Sequence, residues 1–171
     1  MPVIEELGED EYVAVWARFG EQFGFRPGVA RSTWPAIAEP ATARTWSVAN
    51  LPDGDGYTEL DEMVDVVQDG LCAVTPPDGT ILILDWHHTS YRIRPHRIRP
   101  ADGLRWPLGV MPDGDYIVNL AEDFSYGTFG HPWEETLCVF GTAVVERVAE
   151  RLDVILGPPL RIGGQNARGS A

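Results

Sequence analysis

The run Thr80-Ile81-Leu82-Ile83-Leu84-Asp85-Trp86 sets the strongest limit on what this chain can become. It follows the turn Pro77-Asp78-Gly79 and is apolar at nearly every position, the pattern of a central strand buried on both faces. The alternation in Tyr91-Arg92-Ile93-Arg94 makes that segment its hairpin partner. Further strands are expected over residues 44–49, 115–121, 124–129 and 135–140, with turns at 52–56 and 112–114. Three stretches carry helical spacing instead. Tyr12, Trp16, Phe19 and Phe23 form one stripe that Gly24 ends. Leu60, Met63, Val64, Val67 and Leu71 form a second, opened by a Thr58/Asp61 capping box. Val145, Val148, Leu152 and Ile155 form a third, stopped by Gly157-Pro158-Pro159. The order predicts an α+β single domain over residues 1–160, a mainly antiparallel sheet flanked by about three helices on one side. Residues 161–171, small and polar, are expected to form a flexible tail.

The 171 residues suffice for an apolar core without staples. A net charge of −13 argues against nucleic acid or an anionic membrane as partner. No apolar run approaches the ~18 residues of a membrane span. The acidic start Met1-Pro2-Val3-Ile4-Glu5-Glu6 does not read as a signal peptide, so a cytoplasmic location is expected. Cys72 and Cys138 sit in apolar runs and read as buried thiols rather than a disulfide. All 13 basic residues are arginine, which excludes a Schiff-base lysine and the lysine of a phosphate loop.

Chemistry concentrates between Asp85 and Glu135. His87 to Arg105 carries a net +4 in an otherwise acidic chain. On a continuing strand Arg92, Arg94 and His96 share one face, and guanidinium groups so placed suit a carboxylate or phosphate. Alternatively these arginines pair with the acidic helix at 59–69. A second element, Gly130-His131-Pro132-Trp133-Glu134-Glu135, puts a histidine beside carboxylates, a combination suited to general acid–base work near pH 7, or else it is a structural turn anchored by Trp133. Adjacent His87 and His88 face opposite ways on a strand, and no HxH or HExxH spacing occurs, so no metal is expected, although Asp85, Asp115, Asp123 and Glu134 could join the four histidines as ligands. The segment from Asp53 fails as a calcium loop, with Thr58 where Gly and Val64 where Glu are needed.

Phe25-Arg26-Pro27 with Trp34-Pro35-Ala36-Ile37-Ala38-Glu39-Pro40, then Asp85-Trp86-His87-His88-Thr89-Ser90-Tyr91, Pro112-Asp113-Gly114-Asp115-Tyr116, and Asp123-Phe124 through Gly130-His131-Pro132-Trp133-Glu134-Glu135-Thr136-Leu137-Cys138-Val139-Phe140-Gly141, together resemble the domain of unknown function 2716 family of bacterial proteins. The resemblance spans roughly residues 10–156 and implies no activity. It implies that the polar motif residues are a family signature, lining a pocket or forming one satisfied network.

Three readings follow. In the first the protein binds a small anionic molecule through Arg92 and Arg94, with Tyr91, Trp86, Trp133 and Asp123 completing the site. His88 or His131 moves a proton, oriented by Asp85, Asp115 or Glu134, without a cofactor, for isomerisation, cyclisation, elimination or hydrolysis. In the second it is a non-catalytic acidic partner of a basic protein, of immunity or antitoxin type, meeting it through residues 5–11 and 53–69. In the third the motif residues are structural. The first requires the arginine hairpin and the 130–135 turn to meet in one pocket, with His87 turned away.

Overall fold

The computed structural model describes residues 2–51, 58–112 and 114–167. The expected turn at 52–56 lies outside the described residues, as does Asp113 of the 112–114 turn. The elements in chain order are β1 (Ile4–Glu6), α1 (Glu9–Phe23), β2 (Arg44–Ser47), α2 (Glu59–Val74), β3 (Ile81–Asp85), β4 (Tyr91–Ile93), β5 (Ile117–Ala121), β6 (Gly127–His131), β7 (Thr136–Phe140), α3 (Thr142–Leu156), β8 (Arg161–Ile162) and β9 (Gln165–Asn166). The strands form one sheet in the order β1-β4-β3-β5-β6-β7-β2-β8-β9, antiparallel at every pairing. This is the expected α+β architecture. Among the described residues no helix is long and apolar enough to cross a membrane.

The central run behaves as its composition requires. Ile81 and Ile83 face Met63, Val67 and Leu71 of α2 and Val144 and Val148 of α3. Leu82 and Leu84 face the opposite way, into Phe19 and Phe23 of α1 with Tyr116, Phe124 and Phe129. Two cores therefore sandwich the sheet, and the expectation of helices on one side is corrected: α1 covers one face, α2 and α3 the other. A strand apolar on both faces needs apolar cover on both.

Local chemistry explains the element ends. Gly24 closes α1 in the left-handed conformation at φ 60°. The backbone N–H of Thr58 donates to the Asp61 carboxylate at 3.1 Å, opening α2 as expected. β4 stops at Ile93, because Pro95 has no N–H to continue the ladder and begins a short 3-10 turn, Pro95–Arg97. Arg92, Arg94 and His96 therefore do not share a strand face. The strand expected over 124–129 is shifted to Gly127–His131, since Phe124 occupies a left-handed turn position at φ 64°. Residues 161–166, expected to be flexible, instead form a hairpin that extends the sheet beside β2.

Candidate functional site

The motif residues separate to the two ends of β3 and β5. At the end marked by Asp85, β3 runs into a turn at Trp86 and His87. His87 takes φ 69°, and its N–H donates to the Tyr12 hydroxyl at 2.8 Å. The buried Ser90 ties the turn together, its Oγ accepting from Asp85 N–H at 3.1 Å and donating to the Asp85 carbonyl at 3.4 Å. This reversal carries the His88 imidazole back over the strand end, where Nδ1 lies 3.0 Å from Asp85 Oδ1 and 3.8 Å from Asp115 Oδ2. Asp115 is itself oriented, since its Oδ1 accepts from Tyr116 N–H at 2.9 Å. The imidazole is 63% exposed and the two carboxylates 15%. The hydrogen bond to Asp85, then the charges of Asp85 and Asp115, raise the His88 pKa above its ordinary value. Ligand atoms of all three residues lie within 4.8 Å of one another, the single such trio among the described residues. An open cleft of about 470 Å³ borders His88, lined also by Tyr12, His87 and Ser90. The Trp86 ring stacks on His87 at 3.6 Å, and His87 lines the same cleft as His88.

His131 is near in the fold but different in kind. It ends β6, fully buried, and sits edge-on among Trp34, Tyr116, Phe129 and Trp133 with ring centroids 5.0–6.3 Å away. Its Nδ1 accepts from Glu134 N–H at 3.0 Å, which places the proton on Nε2, a buried atom without a partner in this structure. Burial, assisted by the charge of Arg161, pushes its pKa down to about 4. Burial therefore keeps the imidazole neutral near pH 7. Glu134 is committed elsewhere. Its carboxylate accepts from Arg161 at 2.7 and 3.0 Å and from Thr136 at 2.8 Å. Arg161 also forks onto Glu39, which is 1% exposed and accepts a further bond from Thr45. Burial alone would raise the Glu134 carboxyl, but the hydrogen bonds and charge of Arg161 hold it below its usual range. Trp133 packs against Tyr116 as a wall of the α1 core.

The opposite end holds the arginines. Arg92 donates through Nη2 to Glu11 of α1 and through Nε to Glu122 at 2.6 Å. Arg97 reaches Asp78 at 3.4 Å, and Arg94 donates to the Asp78 carbonyl at 3.1 Å. Arg92 and Arg97 thus pair with acids other than those of the 59–69 helix, where Glu62 pairs with Arg151. Asp123 caps its own turn by accepting from Ser125 N–H at 3.0 Å and Oγ at 2.6 Å, bonds that lower its pKa. Arg92, Arg94 and Asp123 nevertheless line one open cavity of about 680 Å³ with Val74, Pro76 and Tyr126. Tyr91 takes no part, since it faces the α2/α3 core.

Of the expected site residues, then, Asp85, His88 and Asp115 converge. Arg92, Arg94 and Asp123 converge separately. Trp86, Trp133 and His131 are brought around Tyr116, and Glu134 belongs to the Arg161 network. The arginine hairpin and the 130–135 turn do not meet in one pocket. Sequence reasoning missed Glu11, Glu122, Glu39 and Arg161, because partners 30, 81 or 122 residues away leave no local signal.

A model of the family described as "Protein of unknown function (DUF2716)" matches residues 6–145. The chain is also similar to "Uncharacterized protein YxiI" of Bacillus subtilis (strain 168), 25% identical over 148 residues that make up 83% of this chain and 90% of that protein. No solved structure matches at a significant level.

Proposed function

Because the chain belongs to the DUF2716 family, whose description assigns no activity, we propose a function from the cavities themselves: a small-molecule-binding protein whose ligand sits at the arginine end. One observation carries this reading. Arg92, Arg94 and Asp123, placed in the ligand site on sequence grounds, line the same cavity of about 680 Å³, whose walls include Val74, Pro76, Ala121 and Tyr126. Apolar walls with a few directed polar groups, at a volume within about 300–1,000 Å³, suit a small organic ligand. Glu11 and Glu122 hold Arg92 through Nη2 and Nε, which fixes the guanidinium without engaging Nη1. The charges also shape the ligand. Asp78, Glu122 and Asp123 line the cavity beside the two arginines, so an ion of purely negative charge is repelled. A molecule with one acidic group, an apolar body and a hydroxyl or ammonium group fits best.

The acid–base half of the expected function gains no support at this cavity. Ala121, on the cavity, stands opposite Ile81, and Ile117 stands opposite Asp85. Four residues at ~3.3 Å each put the His88 end about 13 Å away, beyond proton-transfer distance. A cytoplasmic setting accords with the free thiols of Cys72 and Cys138.

Backbone amide NMR tests the proposal, using small carboxylic acids and amino acids with branched or aromatic side chains as probes. Saturable shifts at Val74, Thr80, Arg94 and Tyr126, weakened in Arg94→Gln, are expected. Shifts confined to other segments, or none at millimolar probe, overturn it. A basic protein partner that shifts residues 5–11 while the probes shift nothing would establish the acidic-partner reading instead.

A further inference from the structure

We propose that Asp85, His88 and Asp115 form a binding site for a divalent transition ion of the Zn²⁺ or Mn²⁺ class. The proposal concerns the other end of the sheet and is independent of the arginine-end cavity. Three features of the cluster carry it.

The first is the donor set. One imidazole nitrogen and two carboxylate oxygens come from the end of β3, the turn after it and the segment leading into β5, with all three ligand atoms within 4.8 Å. Bonds of about 2.0–2.2 Å to an ion place neighbouring ligand atoms about 3.4 Å apart in a tetrahedral site. The 3.0 and 3.8 Å separations from His88 Nδ1 bracket that value. Small side-chain adjustments close the site.

The second is electrostatic. Asp85 and Asp115, each 15% exposed, share a single imidazole, and no arginine pairs with either among the described residues. Arg92 and Arg161 also each face two carboxylates, but with a permanently charged guanidinium, whereas the His88 imidazole carries charge only when protonated. The histidine end therefore has an excess of negative charge at close quarters that a divalent ion offsets.

The third is preorganisation. Tyr116 N–H holds Asp115 Oδ1, which turns Oδ2 toward His88. Ser90 and Tyr12 hold the 85–88 turn that returns His88 over Asp85. Ligands fixed by such outer contacts need little ordering when the ion binds. Three protein ligands leave positions for water or a substrate oxygen from the adjoining cleft of about 470 Å³. An imidazole ligand favours a transition ion over Mg²⁺ or Ca²⁺, which prefer oxygen throughout.

Calorimetric titration of the chelator-treated full chain with Zn²⁺, Mn²⁺, Mg²⁺ and Ca²⁺ tests this. One equivalent of Zn²⁺ or Mn²⁺ is expected to bind at least tenfold more tightly than Mg²⁺ or Ca²⁺. Asp115→Asn and His88→Gln, each with an amide spectrum matching wild type, should weaken it at least tenfold. Cys72→Ser should leave it unchanged, which separates this site from the Cys72–His96 pair, 3.6 Å apart. Mn²⁺ should broaden the amide signals of Trp86 to Ser90 and of Asp115 and Tyr116. No binding at millimolar ion, equal binding of Mg²⁺, or binding indifferent to both variants overturns the proposal.

Discussion

The two ends of the β3–β5 ladder treat charge in opposite ways. At the arginine end each side chain of Arg92, Arg94 and Arg97 finds an oxygen partner, and Arg92 finds two, drawn from α1 and from the end of β5. At the histidine end two carboxylates converge on one exposed imidazole, and among the described residues no arginine pairs with either. Local density of charge in the sequence pointed to the first end, where the tertiary structure has matched the arginines with acids. The second end was sparse in sequence and is unbalanced in space. Guanidinium groups held by acids give the arginine-end cavity rigid charged walls, whereas the exposed imidazole between two carboxylates leaves the negative charge that the proposed ion would offset.

Substitutions should separate matched from unmatched groups by their effect on folding. The largest effect is expected at Arg161→Ala, which strands Glu39 and Glu134 in a buried site without a cation. Removing one member of a buried ion network costs about 3–5 kcal/mol, readable by urea denaturation. A loss below ~1 kcal/mol would show that the two carboxylates protonate or find water easily, and that the matching there is loose.

His131 gives the next effect, through pH. Its folded pKa is depressed to about 4 from an unfolded value near 6.5, so the unfolded chain binds more protons between those limits. The corresponding stability is fully present above pH 6.5 and is lost as pH falls toward 4, by about 3 kcal/mol. Denaturation midpoints of wild type and His131→Phe across pH 4–7.5 isolate this contribution. The variant should show a flatter profile, and parallel profiles would remove His131 from the account.

Arg92→Ala should cost about 1 kcal/mol, because its partners Glu11 and Glu122 are 42% and 41% exposed and regain water. Added salt should shrink the difference. His88→Gln should leave the urea midpoint unmoved, since that side chain is mostly exposed. A midpoint that drops as far as in Arg92→Ala would erase the distinction between the two ends.

Much of the frame was legible beforehand because it depends on short-range rules. The stripe of Tyr12, Trp16, Phe19 and Phe23 identified α1, and its two innermost residues are buried. The Thr58/Asp61 pair marked the start of α2. The errors arose where a local rule met a competing one. Pro95 ended β4 before Arg94, and Phe124 entered a left-handed turn that delayed β6. The 161–166 segment lacks any hydrophobic pattern, yet its backbone pairs with β2 and Arg161 anchors it to Glu39. Of the candidate site, residue types were legible and their groupings were not. His88 and His131 looked equivalent in sequence, but one is exposed beside two carboxylates and the other is sealed among aromatic rings.

By itself the sequence determined the α+β class, the three helices, the two-faced burial of residues 81–84 and the identity of the polar groups available for chemistry. Each of these follows from side-chain volume, hydrophobic period and backbone preference, which act over a few residues. Only the tertiary structure decided which acids neutralise which arginines, that α1 crosses to the far face of the sheet, and that Asp115 joins Asp85 and His88. Those outcomes depend on strand register and layer packing, which bring together residues 19 to 122 positions apart.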